Sequence, residues 1–319
     1  MAEKIILDRN LTIEAVRVTE AAAIAAAETM GRGDEKVADQ AAVDAMRTAL
    51  NRLQMAGTVV IGEGERDEAP MLFIGEEVGT GDGPKIDIAL DPLEGTTITA
   101  KGLPNSLAVL ALSEHGGLLN APDVYMDKIA AGPLVPVSAI DLDNTAEENI
   151  SNVAKALGKD PKDVVACILD RPRHGDLIAA VRGAGARIVL IGDGDVAGVM
   201  ATAMPETGVD IYMGTGGAPE GVLAAAALRC IGGNIQGRLL FRNDDERGRA
   251  AKVGVEDLNR KYAITDLASG DVIFAATGVT DGNMLEGVRR TAKYLSTESV
   301  AMRARTGTVR WIRMQHPIK

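Results

Sequence analysis

The segment Asp91-Pro92-Leu93-Glu94-Gly95-Thr96 constrains this chain more than any other feature. It follows the apolar run Ile86-Asp87-Ile88-Ala89-Leu90, which reads as a strand. Two carboxylates therefore stand where a strand ends, just ahead of a Gly and a Thr. A second acidic cluster, Gly62-Glu63-Gly64-Glu65-Arg66-Asp67-Glu68, follows the apolar run Thr58-Val59-Val60-Ile61. Two strands that each end in acid predict one carboxylate-lined pocket, and carboxylate oxygens are the hard ligands that Mg2+ and Mn2+ prefer. Pro92 suits the first turn of a helix capped by Asp91. Backbone N–H groups near Gly95 and Thr96 would then be open to a phosphate. An ordinary helix cap explains Asp91 but leaves Glu94, Gly95 and Thr96 without a reason. In the other cluster, Glu63, Glu65 and Asp67 share one side of an extended loop. Like charges so placed repel unless a cation neutralises them.

The formal net charge of -11 argues against a nucleic-acid partner. Aromatic residues are only 3% of the chain, which leaves few rings for stacking on bases. An anionic substrate remains compatible if divalent cations or a local group of Arg and Lys offset the acid. At 319 residues the chain has room for about two domains. Cys167 and Cys230 lie in apolar surroundings and read as buried thiols rather than a disulfide. The first residues lack an apolar leader, and no apolar run reaches the roughly 18–20 residues of a membrane span. The expectation is a cytoplasmic protein with no membrane partner.

Apolar spacing predicts a helix over about 10–31, with Asn10 or Thr12 as its cap, and a second from about 35 to 55. Strands are expected near 58–61, 86–90 and 105–112. The turn His115-Gly116-Gly117 should lead into a hairpin through Leu118-Leu119. From about residue 135 the texture changes. A helical stretch over 141–158 precedes apolar runs at 164–169, 187–191 and 209–212, and Ala-rich segments follow them. That alternation predicts βαβ units and a mostly parallel sheet. Gly132-Pro133 and Pro136 place a boundary, giving an α+β domain over 1–135 and an α/β domain over 136–319.

Arg171-Pro172-Arg173-His174 is a basic knot in an acidic chain, at the end of an apolar strand. Arginine's paired planar donors suit phosphate. His174 reads as structural, or as a helix-start residue, rather than as a general base. Asp193 and Asp195 suit sugar hydroxyls, or else the start of a helix. Gly192-Asp193-Gly194-Asp195-Val196-Ala197 fits the dinucleotide pattern G-x-G-x-x-A. Two carboxylates would then face a pyrophosphate, and the pattern sits in the middle of the alternating region, so dinucleotide binding is disfavoured. The loop Gly214-Thr215-Gly216-Gly217-Ala218-Pro219-Glu220 lacks the Lys-Ser/Thr of a nucleotide P-loop.

Together these segments resemble the lithium-sensitive phosphatase superfamily of inositol monophosphatases and fructose-1,6-bisphosphatases. Glu94 stands where most branches have Asp, and this form resembles the class II, GlpX-type fructose-1,6-bisphosphatases of bacteria. Gly31-Arg32-Gly33-Asp34, Ala38-Asp39, Val60 to Glu65, Asp67 to Leu72, Leu119 to Asp123 and Gly216 to Gly221 agree with it, so the resemblance covers about residues 12–310. It implies a layered α/β sugar-phosphatase fold with an active site at the domain junction. It also implies hydrolysis of the 1-phosphate of fructose 1,6-bisphosphate with Mn2+ or Mg2+, in a homo-oligomer (dimer or tetramer). By the same resemblance, Asp39, Glu63, Asp91, Glu94 and Glu220 fall on metal-ligand positions. Glu94, Gly95 and Thr96 fall on the phosphate-contacting segment. Tyr125, Arg171, Pro172, Arg173, Asp193, Gly194, Asp195 and Gly217 fall on the substrate site, and Glu65, Asp67 and Thr96 on catalytic positions. Relatives often carry Lys directly after Gly-Arg-Gly-Asp, whereas here Glu35 precedes Lys36. Sedoheptulose-1,7-bisphosphatase and inositol-phosphate phosphatase activities are the alternatives, followed by a non-catalytic sugar-phosphate sensor.

Overall fold

Small side chains decide how the first helix packs. The computed structural model describes residues 7, 10–64 and 71–318. Helix α1 (Leu11–Ala27) buries Ala15, Ala22, Ala23 and Ala26, so its backbone can approach the sheet beneath it closely. Helix α2 (Glu35–Leu50) starts at Asp34, whose side chain accepts the Val37 N–H. It ends short of the expected residue 55, and Val37 in its first turn is exposed. Next come β1 (Ala56–Ile61), β2 (Glu77–Val78), β3 (Lys85–Glu94), the short helix α3 (Thr96–Lys101) and β4 (Leu107–Glu114). The hairpin expected after β4 does not form, because Leu118 makes only an isolated bridge.

The chain then builds a second unit over residues 120–268. Its elements are β5 (Tyr125–Ala131), α4 (Ala146–Leu157), β6 (Val165–Leu169), α5 (Gly175–Gly183), β7 (Arg187–Ile191), α6 (Asp195–Ala201) and β8 (Ile211–Gly217). They continue with α7 (Ala218–Ile231), β9 (Asn234–Leu240), α8 (Asp244–Lys252), β10 (Lys261–Ala263) and α9 (Ile264–Leu267). The sheet order is β10-β9-β5-β8-β6-β7. Only the β6/β7 and β6/β8 pairs are parallel; β5/β8, β5/β9 and β9/β10 are antiparallel. The mostly parallel sheet read from the sequence is therefore a mixed one. Periodicity identifies strands, but the partner and direction of each strand are long-range properties. The core of this unit includes Ile129, Ile150, Val153, Ile168, Val181 and Ile211.

The chain returns to the first unit at Ser269. Strands β11 (Val272–Gly278), β12 (Arg289–Arg290), β13 (Tyr294–Arg303) and β14 (Thr308–Pro317) complete an eight-stranded sheet, in the order β12-β13-β11-β4-β3-β1-β2 with β14 paired to β13. The single break expected near residue 135 thus lies at 119/120, and the last fifty or so residues belong with the first. Hydroxyls fasten α1 to the returning strands. Thr19 lies 2.7 Å from Thr277, which lies 2.8 Å from Ser299, and Thr297 donates to Glu20 at 2.9 Å. Such buried bonds contribute about 1 kcal/mol each. Arg303 pairs with Asp271 at 2.6 Å and donates to the Leu7 carbonyl at 2.7 Å, with both charged side chains buried.

Candidate active site

In the first unit, the two acidic strand ends are neighbours. Strands β1 and β3 run parallel, with Val59 opposite Ile88 and Ile61 opposite Ala89. Glu63, just past β1, is therefore on the same sheet edge as Asp91 near the end of β3. The local fold around Asp91 differs from the capped helix expected. Strand β3 continues through Pro92 to Glu94, and its register against β4 slips between Asp91, opposite Val109, and Glu94, opposite Leu107. Three residues on β3 thus span two on β4, a bulge that accommodates a proline with no N–H to give the ladder. Asp91 Oδ1 accepts the Leu93 N–H at 3.0 Å across that bulge. The helix begins later, at Thr96, with Gly95 as its cap at φ +85. That left-handed conformation favours glycine. Ser106 donates to the Glu94 carbonyl at 2.9 Å and Thr99 donates to Ser106 at 2.7 Å, which fixes the turn.

Asp39 comes from α2, whose preceding turn is tied to α3 by Gly31 N–H to Thr99 O and Gly33 N–H to Ala100 O, both 2.9 Å. Burial raises the Asp39 carboxyl above the usual carboxylate range. Glu94 is buried, at 3% exposure. Glu65 and Asp67 lie outside the described residues. Among the described residues, no three acidic, histidine or cysteine side chains converge closely enough to cage a metal. Lys36 is exposed in the first turn of α2.

In the second unit, the expected substrate residues collect at one sheet edge. Strands β6, β7 and β8 share a direction, so their carboxyl ends lie together. Arg171, Pro172 and Arg173 follow β6; Asp193, Gly194 and Asp195 follow β7; Gly217 closes β8. Antiparallel β5 places its first residue, Tyr125, opposite Gly217. In α/β sheets, ligands bind outside the carboxyl ends of the strands. Arg173 donates from Nε (3.0 Å) and Nη2 (2.6 Å) to the Thr215 carbonyl and lies 4.9 Å from the Tyr125 ring centroid. Arg171 pairs with Asp193 at 3.6 Å. His174 is buried. Its Nδ1 is 2.7 Å from the Leu169 carbonyl, and its Nε2 accepts the Thr215 N–H at 2.8 Å.

Asp195, expected to face a sugar, instead turns inward, 6% exposed, to pair with Lys128. Lys128 was not singled out from the sequence. One lysine in the strand Tyr125 to Ala131 looks like an ordinary solvated position, and only the arrival of Asp195 from another strand end makes burial tolerable. Arg242 was also missed. It lies 4.9 Å from the Tyr125 centroid and bonds Glu246 at 2.6 Å. Glu220, in the first turn of α7, folds back over the strand end, where a Cβ on Gly217 would meet its Oε2 at 1.9 Å. A side chain at 217 would displace the Glu220 carboxylate from this place. Among the described residues, Oε2 of Glu220 is buried with no hydrogen-bond partner. Burial, then the charge of Asp195, push its carboxyl up to about 7, while Lys128 opposes them.

The arrangement is that of an α/β protein with acidic strand ends in one unit and a strand edge carrying Arg171 and Arg173 in the other. The chain belongs to the bacterial, glpX-encoded fructose-1,6-bisphosphatase family, whose family model matches residues 9–316. It is 47% identical over 322 residues to fructose-1,6-bisphosphatase 1 class 2 of Escherichia coli K12, covering 97% of this chain and 95% of that protein. It is 45% identical over 335 residues to a D-fructose 1,6-bisphosphatase class 2/sedoheptulose 1,7-bisphosphatase of Synechococcus, covering 97% and 96%.

Proposed function

We propose that this chain hydrolyses the 1-phosphate of fructose 1,6-bisphosphate, giving fructose 6-phosphate and phosphate. The observation that carries this reading is the gathering of Tyr125, Arg171, Arg173 and Gly217 at one strand edge of a protein that belongs to the fructose-1,6-bisphosphatase family. Arg171 and Arg173 supply planar donors for a phosphoryl group distant from the reacting one. The Thr96 hydroxyl and the backbone at Glu94 and Gly95 hold the reacting phosphate. Asp67, with Glu65 or Thr96 beside it, orients the attacking water and accepts its proton.

A divalent cation, Mn2+ or Mg2+, suits the donors available. Asp39, Glu63, Asp91, Glu94 and Glu220 all offer hard oxygen ligands. The raised carboxyls of Asp39 and Glu220, and the unbonded Glu220 Oε2, support this assignment, since a nearby cation would favour their charged forms. When bound, such an ion supplies Lewis-acid polarisation and charge neutralisation at the phosphoryl group. Sedoheptulose 1,7-bisphosphate is the second reading, supported by the dual name of the Synechococcus relative.

Phosphate release from fructose 1,6-bisphosphate, sedoheptulose 1,7-bisphosphate and inositol 1-phosphate, each with Mn2+, Mg2+ or EDTA, tests the proposal. Metal-dependent release from the fructose ester is expected. No release from any ester by folded, metal-loaded protein would leave a sugar-phosphate sensor.

A further inference from the structure

Lys128 sits in the middle of β5 with its side chain almost wholly enclosed, 1% exposed. Its ammonium donates to the Asp195 carboxylate and, at 2.8 Å, to the Gly217 carbonyl. Asp195 is the first residue of α6 and Gly217 the cap of α7, so one ammonium ties the starts of two helices to a central strand. The seat is shaped for it. A Cβ on Gly216 would come within 2.1 Å of Asp195 Oδ2 and 3.0 Å of Lys128 Nζ, and one on Gly221 within 3.3 Å of Lys128 Cδ. Glu220 is only three residues beyond Gly217, in the first turn of α7, and its carboxylate lies over the Gly217 backbone. Any slip of the Gly216-Gly217 backbone therefore carries Glu220 with it.

We propose that Lys128 is a positioning residue: by holding the Gly217 carbonyl it fixes the first turn of α7, which aims Glu220 at a divalent cation and Gly217 at the substrate. This rests on the phosphatase reading above. A merely structural lysine would do no more than neutralise Asp195, and the two roles separate experimentally. Lys128→Met alone strands a buried carboxylate and is expected to lose stability. Lys128→Met/Asp195→Asn removes both buried charges together, a change that proteins often tolerate. Neither residue that replaces the pair can hold the Gly217 carbonyl as the ammonium does.

The test compares the parent, Asp195→Asn and the double variant by thermal melting, by calorimetric titration with Mn2+ and by steady-state kinetics. The double variant is expected to melt near the parent. It should bind Mn2+ about tenfold or more weakly, the loss typical when a residue orienting a metal ligand is removed. Its kcat should fall below that of Asp195→Asn. A folded double variant with parental Mn2+ affinity and the kcat of Asp195→Asn would overturn the proposal. A double variant that does not fold would also overturn it, by making Lys128 structural. If the parent releases no phosphate, the phosphatase reading fails, while the Mn2+ titration still decides the role of Lys128.

Discussion

His174 accepts the backbone N–H of Thr215 through Nε2 at 2.8 Å while its Nδ1 meets the Leu169 carbonyl at 2.7 Å, joining the ends of two neighbouring strands. Both ring nitrogens are thus occupied by backbone, and neither is open to a substrate proton. His174→Phe keeps the volume and leaves both backbone groups without their partner, at about 1–3 kcal/mol each. A lower denaturant midpoint is expected, with kcat per folded molecule within about threefold of the parent. A general base contributes about a hundredfold or more. A folded variant with a loss of that size would return His174 to the chemistry.

Asp91→Asn is a test of charge with little change in shape. Asparagine still offers Oδ1 to the Leu93 N–H, so the bulge at Pro92 should persist. Activity should fall by about a thousandfold, equivalent to about 4 kcal/mol of transition-state stabilisation. Circular dichroism should be unchanged. Full activity in a folded variant would remove Asp91 from the metal ligands.

Arg171 is partly exposed and pairs only loosely with Asp193, at 3.6 Å, so its truncation should leave stability unchanged. If it grips a phosphoryl group, Arg171→Ala should raise KM for the bisphosphate about tenfold, the worth of one charged hydrogen bond. The kcat should move little. An unchanged KM would take Arg171 out of the substrate site.

Glu20 gives a pH dependence. Burial holds its carboxyl above the usual carboxylate range, against the opposing effects of the Thr297 hydroxyl, His316 and Arg17. The folded chain therefore keeps this proton at pH values where the unfolded chain has released it, and stability falls as pH rises upward from the ordinary value of 4.5. Glu20→Gln keeps an acceptor for Thr297 and removes the buried charge. The variant should match the parent at about pH 4 and exceed it in urea midpoint at about pH 8. A parent that is the more stable at the higher pH would show that the buried charge is well compensated.

The residues with chemistry were legible where sequence neighbours do the work. The strands ahead of Asp91 and Arg171 show as apolar runs, and the glycines at 216 and 217 mark a strand end with side chains lying close upon it. The helix start was misplaced because proline after aspartate fits a cap as well as a bulge, and only the pairing with β4 decides between them. Lys128 and Arg242 were hidden for a different reason. Each gains its meaning from a residue or strand end brought in by the fold, and periodicity along the chain contains no information about Asp195 meeting Lys128 across 67 positions. The return at Ser269 was missed likewise, since the sheet that β11 to β14 join is set by pairing with β4, far back in the chain.

That return sets an order of events during synthesis. The Ser269 N–H bonds the Gly117 carbonyl at 2.7 Å, so within the first unit the chain resumes beside the point where it broke off. Strand β4 has β3 on one side and β11 on the other. While residues 120–271 are being made, about 10–30 s at ordinary ribosome speeds, that second side has no partner. An open strand edge is a template for pairing with other chains. The nascent protein is thus most exposed to aggregation after its acidic strand ends have formed and before its last fifty residues emerge, and a ribosome stalled in that interval would leave a sheet half built with its centre as its edge.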